Sequence, residues 1–310
     1  MKENCMNRLP KVAILLSTYN GEKFLEEQLR TLQHQKNIDA TIYVRDDGSK
    51  DGTLDLISKF SKSGMKLIIE KGSNVGFVKS FFKLLETPED DYDFFAFADQ
   101  DDFWDELKIS EGINKLLQSQ SDLPLLYCSR LEYVDQELNH LSYSTDFKHI
   151  SFGNALVENV CTGCTIILNK KSRELILRKI PQKCIAHDWW CYLSISAFGK
   201  IIFDNRSFIK YRQHQSNTIG ANISLIGKTR RRLTNFFSRK NHNSRLRQIQ
   251  EFNEIFSPLF NDKQREELLA FVDYNKNYKN TLKLIFSSFY YRNNFMDSIL
   301  LRLTFLLQKF

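Results

Sequence analysis

No apolar run in this 310-residue sequence approaches the ~20 residues that cross a bilayer. Met1 to Lys11 also lacks an apolar h-region, so no secretory signal is expected. Together these absences suggest a cytoplasmic protein, or one held peripherally on the inner face of the cell membrane. In that reducing setting the six cysteines are expected to be free thiols. Cys161 and Cys164 have Cys-x-x-Cys spacing. The second Cys or His pair of a zinc finger is missing, however, so neither a zinc nor a redox site is assigned. There are only five prolines, no Ser/Gly-rich linker, no internal repeat and no low-complexity tract. No nucleic-acid recognition motif accompanies the basic residues, so nucleic acid is not an expected partner.

What the chain does have is a globular balance, 42% hydrophobic and 26% charged, with many aromatics: 25 Phe and 12 Tyr. The net charge of +7 is unevenly spread. Residues 221 to 310 carry 16 Lys and Arg against 7 Asp and Glu, while the first 220 carry 28 against 30. Such asymmetry suggests an acidic surface as partner for the last ninety residues. Two domains are therefore expected, 1–220 and a basic helical extension over 221–310.

Strand and helix patterns alternate through the first 130 residues. The pattern predicts strands at Val12–Ser17, Ala40–Arg45, Lys66–Glu70 and just before Asp99. It predicts helices at Glu22–Gln35, Thr53–Phe60 and Val75–Leu85. Strands separated by helices of this length argue for an α/β fold with a parallel sheet and right-handed crossovers. Farther on, Leu125–Cys128, Thr165–Leu168, Ile201–Phe203 and Phe208–Arg212 read as strands and Trp189–Ala197 as a helix.

The most informative stretch is Asp93-Phe94-Phe95-Ala96-Phe97-Ala98-Asp99-Gln100-Asp101-Asp102, an apolar strand that ends in three carboxylates within four positions. At about 4 Å and an effective dielectric near 20, each pair of like charges costs roughly 4 kcal/mol. A cation should offset this, and hard divalent ions prefer oxygen ligands. Open α/β sheets also place their ligands at the carboxyl ends of strands.

Three further clusters fall at element ends. Ser17-Thr18-Tyr19-Asn20 and Asp46-Asp47-Gly48-Ser49 close the first two strands and would face one crevice. The acids there suit ring N–H or ribose hydroxyl groups, and they equally suit a turn. His187-Asp188-Trp189-Trp190 reads either as a helix N-cap or as a carboxylate beside a sugar-stacking floor, its basicity raised by desolvation. Tyr211-Arg212-Gln213-His214 puts a histidine at a strand end, where a carboxylate pair lacking a full metal shell could use it.

In this order the motifs resemble the nucleotide-sugar half of family 2 inverting glycosyltransferases. The matching segments are Ser17 to Gly21, Asp46 to Thr53, Asn74-Val75-Gly76 and Asp99 to Asp102. Asp99 to Trp104 with Lys108, Thr162-Gly163-Cys164-Thr165, His187 to Trp190 and Arg212 to His214 are similar to the rhamnosyltransferase-like subgroup of bacterial surface polysaccharide synthesis. The resemblance covers residues 11 to 220. It implies a GT-A fold, a Rossmann-like mixed and mainly parallel sheet flanked by helices, with a DXD metal motif for Mg²⁺ or Mn²⁺.

It also implies roles. Asp46 or Asp47 would hold the nucleobase in a pocket lined by Thr18, with Tyr19, Asn20, Asn74, Gly76, Lys79, Gln100 and Lys108 on the nucleotide-sugar donor. Asp99 would contact the ribose and the metal, and Asp101 or Asp102 would ligate the ion, completed by His214. Asp188 would be the general base, and Trp104, Gly163, Trp189 and Trp190 would touch sugar or acceptor. The implied reaction moves a sugar, rhamnose from dTDP-rhamnose or a hexose from a UDP-sugar, onto a lipid-linked glycan.

The resemblance weakens beyond residue 220. Lys228, Arg230, Arg231, Arg232, Arg239, Lys240, Arg245 and Arg247 run without an intervening acid, interleaved with Leu233, Phe236 and Phe237. Near the end Ile299, Leu303, Leu306, Leu307 and Phe310 recur at helical spacing. These features suit either a solvated face with packed helices or basic helices docking on an anionic inner leaflet, at about 1 kcal/mol per base.

Overall fold

Val12 to Leu16 and Phe94 to Ala98 contain no polar side chain, and in the computed structural model both lie in the middle of one sheet, buried throughout. The structure describes residues 8–214 and 239–307. Strands β1 (Lys11–Thr18), β2 (Asp39–Asp46), β3 (Leu67–Lys71) and β4 (Phe94–Ala98) pair in parallel in the order β3-β2-β1-β4. Helices α1 (Glu22–Gln33), α2 (Thr53–Lys62) and α3 (Phe77–Glu86) make the crossovers. Leu25, Leu29 and Leu32, at i, i+4 and i+7, are the stripe that α1 buries.

The remaining strands make the sheet mixed. They are β5 (Phe103–Trp104), β6 (Leu125–Val134), β7 (His140–Tyr143), β8 (Ile167–Asn169) and β9 (Lys200–Arg212), with α4 (Lys108–Gln118) after β5. Strand β8 runs antiparallel between β4 and β6, β9 is parallel to β6, β5 closes the order beyond β9, and β7 pairs with β6. The expected strands at 201–203 and 208–212 are a single strand. Its register against β6 shifts between the Ser129–Asp204 and Arg130–Ser207 pairs. The polar Asp204-Asn205-Arg206 triplet sits at this bulge and breaks the apolar alternation that would have revealed continuity.

The chain divides into two compact units. The first comprises Met1–Asp146, Cys161–Arg178 and Phe198–Gly220 and holds the whole sheet, together with α6 (Lys170–Ile176). The second comprises Phe147–Val160, Lys179–Ala197 and Ala221–Phe310, so two segments from within the first 220 residues join the helical extension. Its helices are α5 (Phe152–Ala155), most of α7 (His187–Phe198), α8 (Arg239–Phe256), α9 (Asp262–Val272), α10 (Tyr278–Phe286) and α11 (Phe295–Leu306).

Side chains explain that membership. Phe252 on α8 packs with Phe152, Trp190, Phe256 and Phe260 at ring separations of 4.8 to 6.0 Å. Glu251 accepts from the backbone N–H of Gln182 and Lys183 at 2.8 and 2.7 Å, and Gln248 from that of Ile185 at 2.8 Å. Helices α9, α10 and α11 each begin at an asparagine N-cap: Asn261, Asn277 and Asn294. Lys228, Arg230, Arg231, Arg232, Leu233, Phe236, Phe237 and Phe310 lie outside the described residues.

Candidate functional site

Because β1, β2 and β4 are parallel neighbours, their carboxyl ends share one edge of the sheet. Thr18 stands opposite Asp46, and Leu16 opposite Ala98, one residue before Asp99. This parallel register brings the loops of Thr18 to Asn20, Asp46 to Ser49 and Asp99 to Asp102 together.

The first two loops are laced to each other. Thr18 Oγ1 donates to Asp46 Oδ1 at 3.0 Å, and Asp46 Oδ2 accepts from the N–H of Gly48 and Ser49 at 3.1 and 2.9 Å. Asn20, at the uncommon φ of 48°, donates its N–H to Ser49 Oγ and accepts from the Lys50 N–H, at 2.8 and 2.9 Å. Asp47 accepts from Arg45 Nη1 at 2.5 Å and, through Oδ2, from the N–H of Val75 and Gly76 at 3.1 and 2.8 Å. Gly76 takes φ 82°, a conformation that favours glycine and leads into α3.

Asp46 and Asp47 are both buried and both bonded internally. The turn chemistry read as one alternative for Asp-Asp-Gly-Ser is therefore present. Of the other expected donor contacts in these loops, Tyr19, Asn20, Asn74, Gly76 and Lys79 are exposed. Sequence reasoning missed Arg45, which is 1% exposed and also reaches Glu70 Oε1 and Ser73 O, both at 3.1 Å. A lone arginine directly before two aspartates, in a strand otherwise apolar from Ile42, was the available signal.

Gln100 bridges the β1 and β4 loops. Its Oε1 accepts from the Tyr19 N–H at 2.8 Å and its Nε2 donates to Tyr19 O at 3.1 Å. A Cβ on Gly21 would lie 2.3 Å from Gln100 Oε1, so glycine is required for this close approach. Gln100, expected on the donor, thus spends its amide on fixing the loop.

The three acids after β4 part company. Asp101 Oδ2 pairs with His214 Nε2 at 2.8 Å, so the end of β9 comes to the carboxyl end of β4. Arg212 donates to Asp101 O at 3.1 Å and reaches Glu27 and Gln136 O, while the His214 ring stacks on Phe24 at 5.1 Å. Asp102 turns inward and is 1% exposed. Ligand atoms of Asp99, Asp102 and Cys164 lie within 4.8 Å of one another. Burial, then the charges of Asp101 and Asp99, hold the Asp102 carboxyl well above the usual range, and burial raises the Cys164 thiol. Burial also raises the Tyr211 hydroxyl, with the Asp99 charge adding to it.

Lys108 and Trp104 correct their expected roles. Both are buried, with the Lys108 ammonium 3.4 Å from the centre of the Trp104 ring, a cation–π contact. Burial pulls the Lys108 pKa down to about 7. A lysine sealed in this way does not present itself to a donor, and an enclosed indole offers no face for a sugar. Cys164, which its Cys-x-x-Cys spacing does not single out as a carboxylate neighbour, lies beside Asp99 and Asp102. All five described cysteines are free thiols, with Cys128 and Cys161 Sγ 3.2 Å apart.

Gly163 is buried at the start of a short 3-10 turn through Thr165 in the first unit. The second unit carries the other candidates. Asp188 lies inside the first turn of α7, where the helix dipole favours an acid, and its Oδ1 accepts from the Trp189 N–H at 2.6 Å. Trp190 also corrects the sugar-contact expectation: its ring is fully buried against Phe252 and Phe256. Trp189 is 9% exposed and donates Nε1–H to Ala155 O at 2.7 Å.

Carboxylate oxygens with an imidazole form a donor set suited to Mg²⁺ or Mn²⁺; Asp101 and His214 meet at 2.8 Å, while Asp99 gathers with Asp102 and Cys164. Asp102 and Cys164 are sealed from solvent.

The model of glycosyl transferase family 2 matches residues 13–175. The dTDP-rhamnosyl transferase RfbG of Shigella flexneri is 30% identical over 239 residues, 70% of this chain and 77% of that protein. A β-1,3-glucosyltransferase of Escherichia coli, WfgD, named for UDP-glucose and GlcNAc-diphosphoundecaprenol, is 26% identical over 66% of this chain and 78% of its own. Among solved structures, Staphylococcus aureus TarS 1–349 with UDP-GlcNAc superimposes with a TM-score of 0.60 at 16% identity, over 90% of this chain and 76% of that one. A Pyrobaculum calidifontis mannosyltransferase with GDP-mannose and Mn²⁺ gives 0.51 at 14%, over 98% and 82%.

Proposed function

Because the chain belongs to glycosyl transferase family 2, and is a transferase with the fold of that group, we propose that it is a metal-dependent inverting enzyme moving a sugar from a nucleotide-diphosphate donor to a lipid-linked glycan. The observation that carries this reading is the Asp101–His214 pair, which follows β4 at the carboxyl edge of the parallel strands. Rhamnose from dTDP-rhamnose is the donor favoured by the likeness to RfbG. The likeness to WfgD and to TarS with UDP-GlcNAc supports a second reading with a UDP-hexose.

In this reading Asp99, Asp101 and His214 hold Mg²⁺ or Mn²⁺. When bound, the ion neutralises charge developing on the leaving diphosphate. Asp101 rather than Asp102 is the ligand, since Asp102 is sealed inside and cannot reach a soluble diphosphate. The loop fixed by Gln100, Asn20 and Asp46 orients the nucleotide, with Asn74, Gly76 and Lys79 at its exposed rim. Asp188 takes the proton of the acceptor hydroxyl as that oxygen attacks the anomeric carbon from the face opposite the diphosphate, which inverts the centre. Residues 1–220 form the catalytic part, with 147–160 and 179–197 packing among the helices of the extension.

The test is a thermal-shift panel of dTDP-, UDP- and GDP-sugars with and without Mn²⁺, repeated on Asp101→Ala, Asp102→Ala and Asp188→Asn. A ligand at a hundredfold excess over its dissociation constant stabilises by about 2.7 kcal/mol. Asp101→Ala should lose the Mn²⁺-dependent shift, and Asp188→Asn should keep the shift while losing transfer. A Mn²⁺-dependent shift that survives Asp101→Ala and disappears in Asp102→Ala would reverse the ligand assignment. Wild-type transfer by Asp188→Asn would remove it as the base.

A further inference from the structure

Apolar side chains of a surface helix normally face the core, yet α11 shows a second apolar face to solvent. Leu301, Thr304 and Phe305 form its packed side, with Phe305 against Phe271, Tyr274 and Tyr290. Phe295, Met296, Ile299, Leu303, Leu306 and the following Leu307 are exposed, from 39% at Ile299 to 77% at Phe295. At about 100° per residue these six fall within one sector of roughly 120°, with no charged residue among them.

Two occupants could cover such a stripe, a second copy of this chain or a lipid surface. A 12-residue helix is about 18 Å long, so the stripe covers on the order of 200 Å², against about 800 Å² per partner in a stable interface. The charge argues for lipid. The segment bearing the stripe, 221 to 310, holds the whole basic excess of the protein, with 16 Lys and Arg against 7 acids. Lys263, Lys276 and Lys279 are exposed on the same helical unit. No helix among the described residues is long and apolar enough to cross a membrane.

We propose that α11 is a membrane-docking helix that lies in the plane of an anionic bilayer, with the Phe295–Leu307 stripe at the acyl boundary. An in-plane amphipathic helix binds through buried apolar area together with attraction to anionic headgroups, and the stripe supplies the first. The proposal deepens the reading of a lipid-linked acceptor, but its test uses neither donor nor acceptor, so either can fail alone.

The full chain is sedimented with phosphatidylglycerol/phosphatidylethanolamine vesicles and with phosphatidylcholine vesicles, at low and high salt. The wild type should bind the anionic vesicles more tightly, and salt should weaken that binding. Met296→Asp with Leu306→Asp should lower the partition coefficient at least about tenfold, with a melting temperature close to that of the wild type because both residues are more than half exposed. In a separate variant, Phe295→Trp fluorescence should shift to the blue when anionic vesicles are added. Undiminished binding by the double aspartate variant, or no blue shift at position 295, would overturn the proposal. So would a concentration-dependent dimer in light scattering that the double variant abolishes, since the stripe would then be covered by a second copy.

Discussion

Replacing Arg45 by methionine should destabilise the protein by about 3–5 kcal/mol, because it strands a buried carboxylate. Arg45 and Asp47 are 1% and 3% exposed, with Nη1 and Oδ1 2.5 Å apart. Asp47 would keep its hydrogen bonds from Val75 and Gly76 but lose its cation. The second ion pair of Arg45, with Glu70, involves a side chain that is 42% exposed, so Glu70→Gln should cost no more than about 1 kcal/mol. The Arg45→Met/Asp47→Asn double variant should recover much of the loss, since a neutral amide needs no counter-charge. Equilibrium urea unfolding of the wild type, Arg45→Met, Asp47→Asn and the double variant gives the coupling energy directly. Because the pair holds the 73–76 loop that ends at α3, donor KM should rise in Arg45→Met even where the variant remains folded. A cost below about 1 kcal/mol for Arg45→Met, or strict additivity in the double variant, would refute the claim that Asp47 is a buried ion held by Arg45.

His187 is buried, and burial lowers its pKa from 6.5 to about 3. Between those values the unfolded chain binds a proton that the folded one excludes. Stability should therefore fall as pH drops below about 6.5, by up to about 1.4 kcal/mol per unit, and His187→Leu should flatten that limb in pH-dependent melting. Gly21→Ala should displace Gln100 and cost about 1–2 kcal/mol for the two lost bonds to Tyr19, and the same change should cost far less in a Gln100→Ala background. Trp190→Ala should cost about 3–5 kcal/mol in unfolding and leave acceptor KM near wild type where the variant folds, since the ring fills a core rather than a sugar site. A raised acceptor KM at unchanged stability would return Trp190 to the sugar-contact group.

Much of the sheet was legible because apolar runs such as Val12–Leu16 and Phe94–Ala98 permit little besides a buried strand. Their parallel order followed from the crossover helices, and with it the gathering of Thr18, Asp46 and Asp99 on one edge. Strand β9 was read as two because a bulge hides its continuity. Helix α4 is absent from the sequence reading although Ile109, Ile113 and Leu116 recur along it at helical spacing. The tail pattern Ile299, Leu303, Leu306 and Leu307 was legible as one face of a helix. Its direction was not, since periodicity gives the existence of a stripe and not whether it is packed.

The sequence by itself determined the family, the α/β architecture and the set of acids brought to the sheet edge, because strand order and chain connectivity fix where strand ends fall. Only the tertiary structure decided what each side chain does there. It turned Asp101 toward His214 and Asp102 toward Cys164, bound Asp47 to Arg45, and enclosed Lys108 and the rings of Trp104 and Trp190. The physical reason is that burial and partner distance set whether a carboxylate is a ligand, an ion-pair member or a neutral core group. Both quantities depend on residues far apart in the chain, such as the 113 positions between Asp101 and His214.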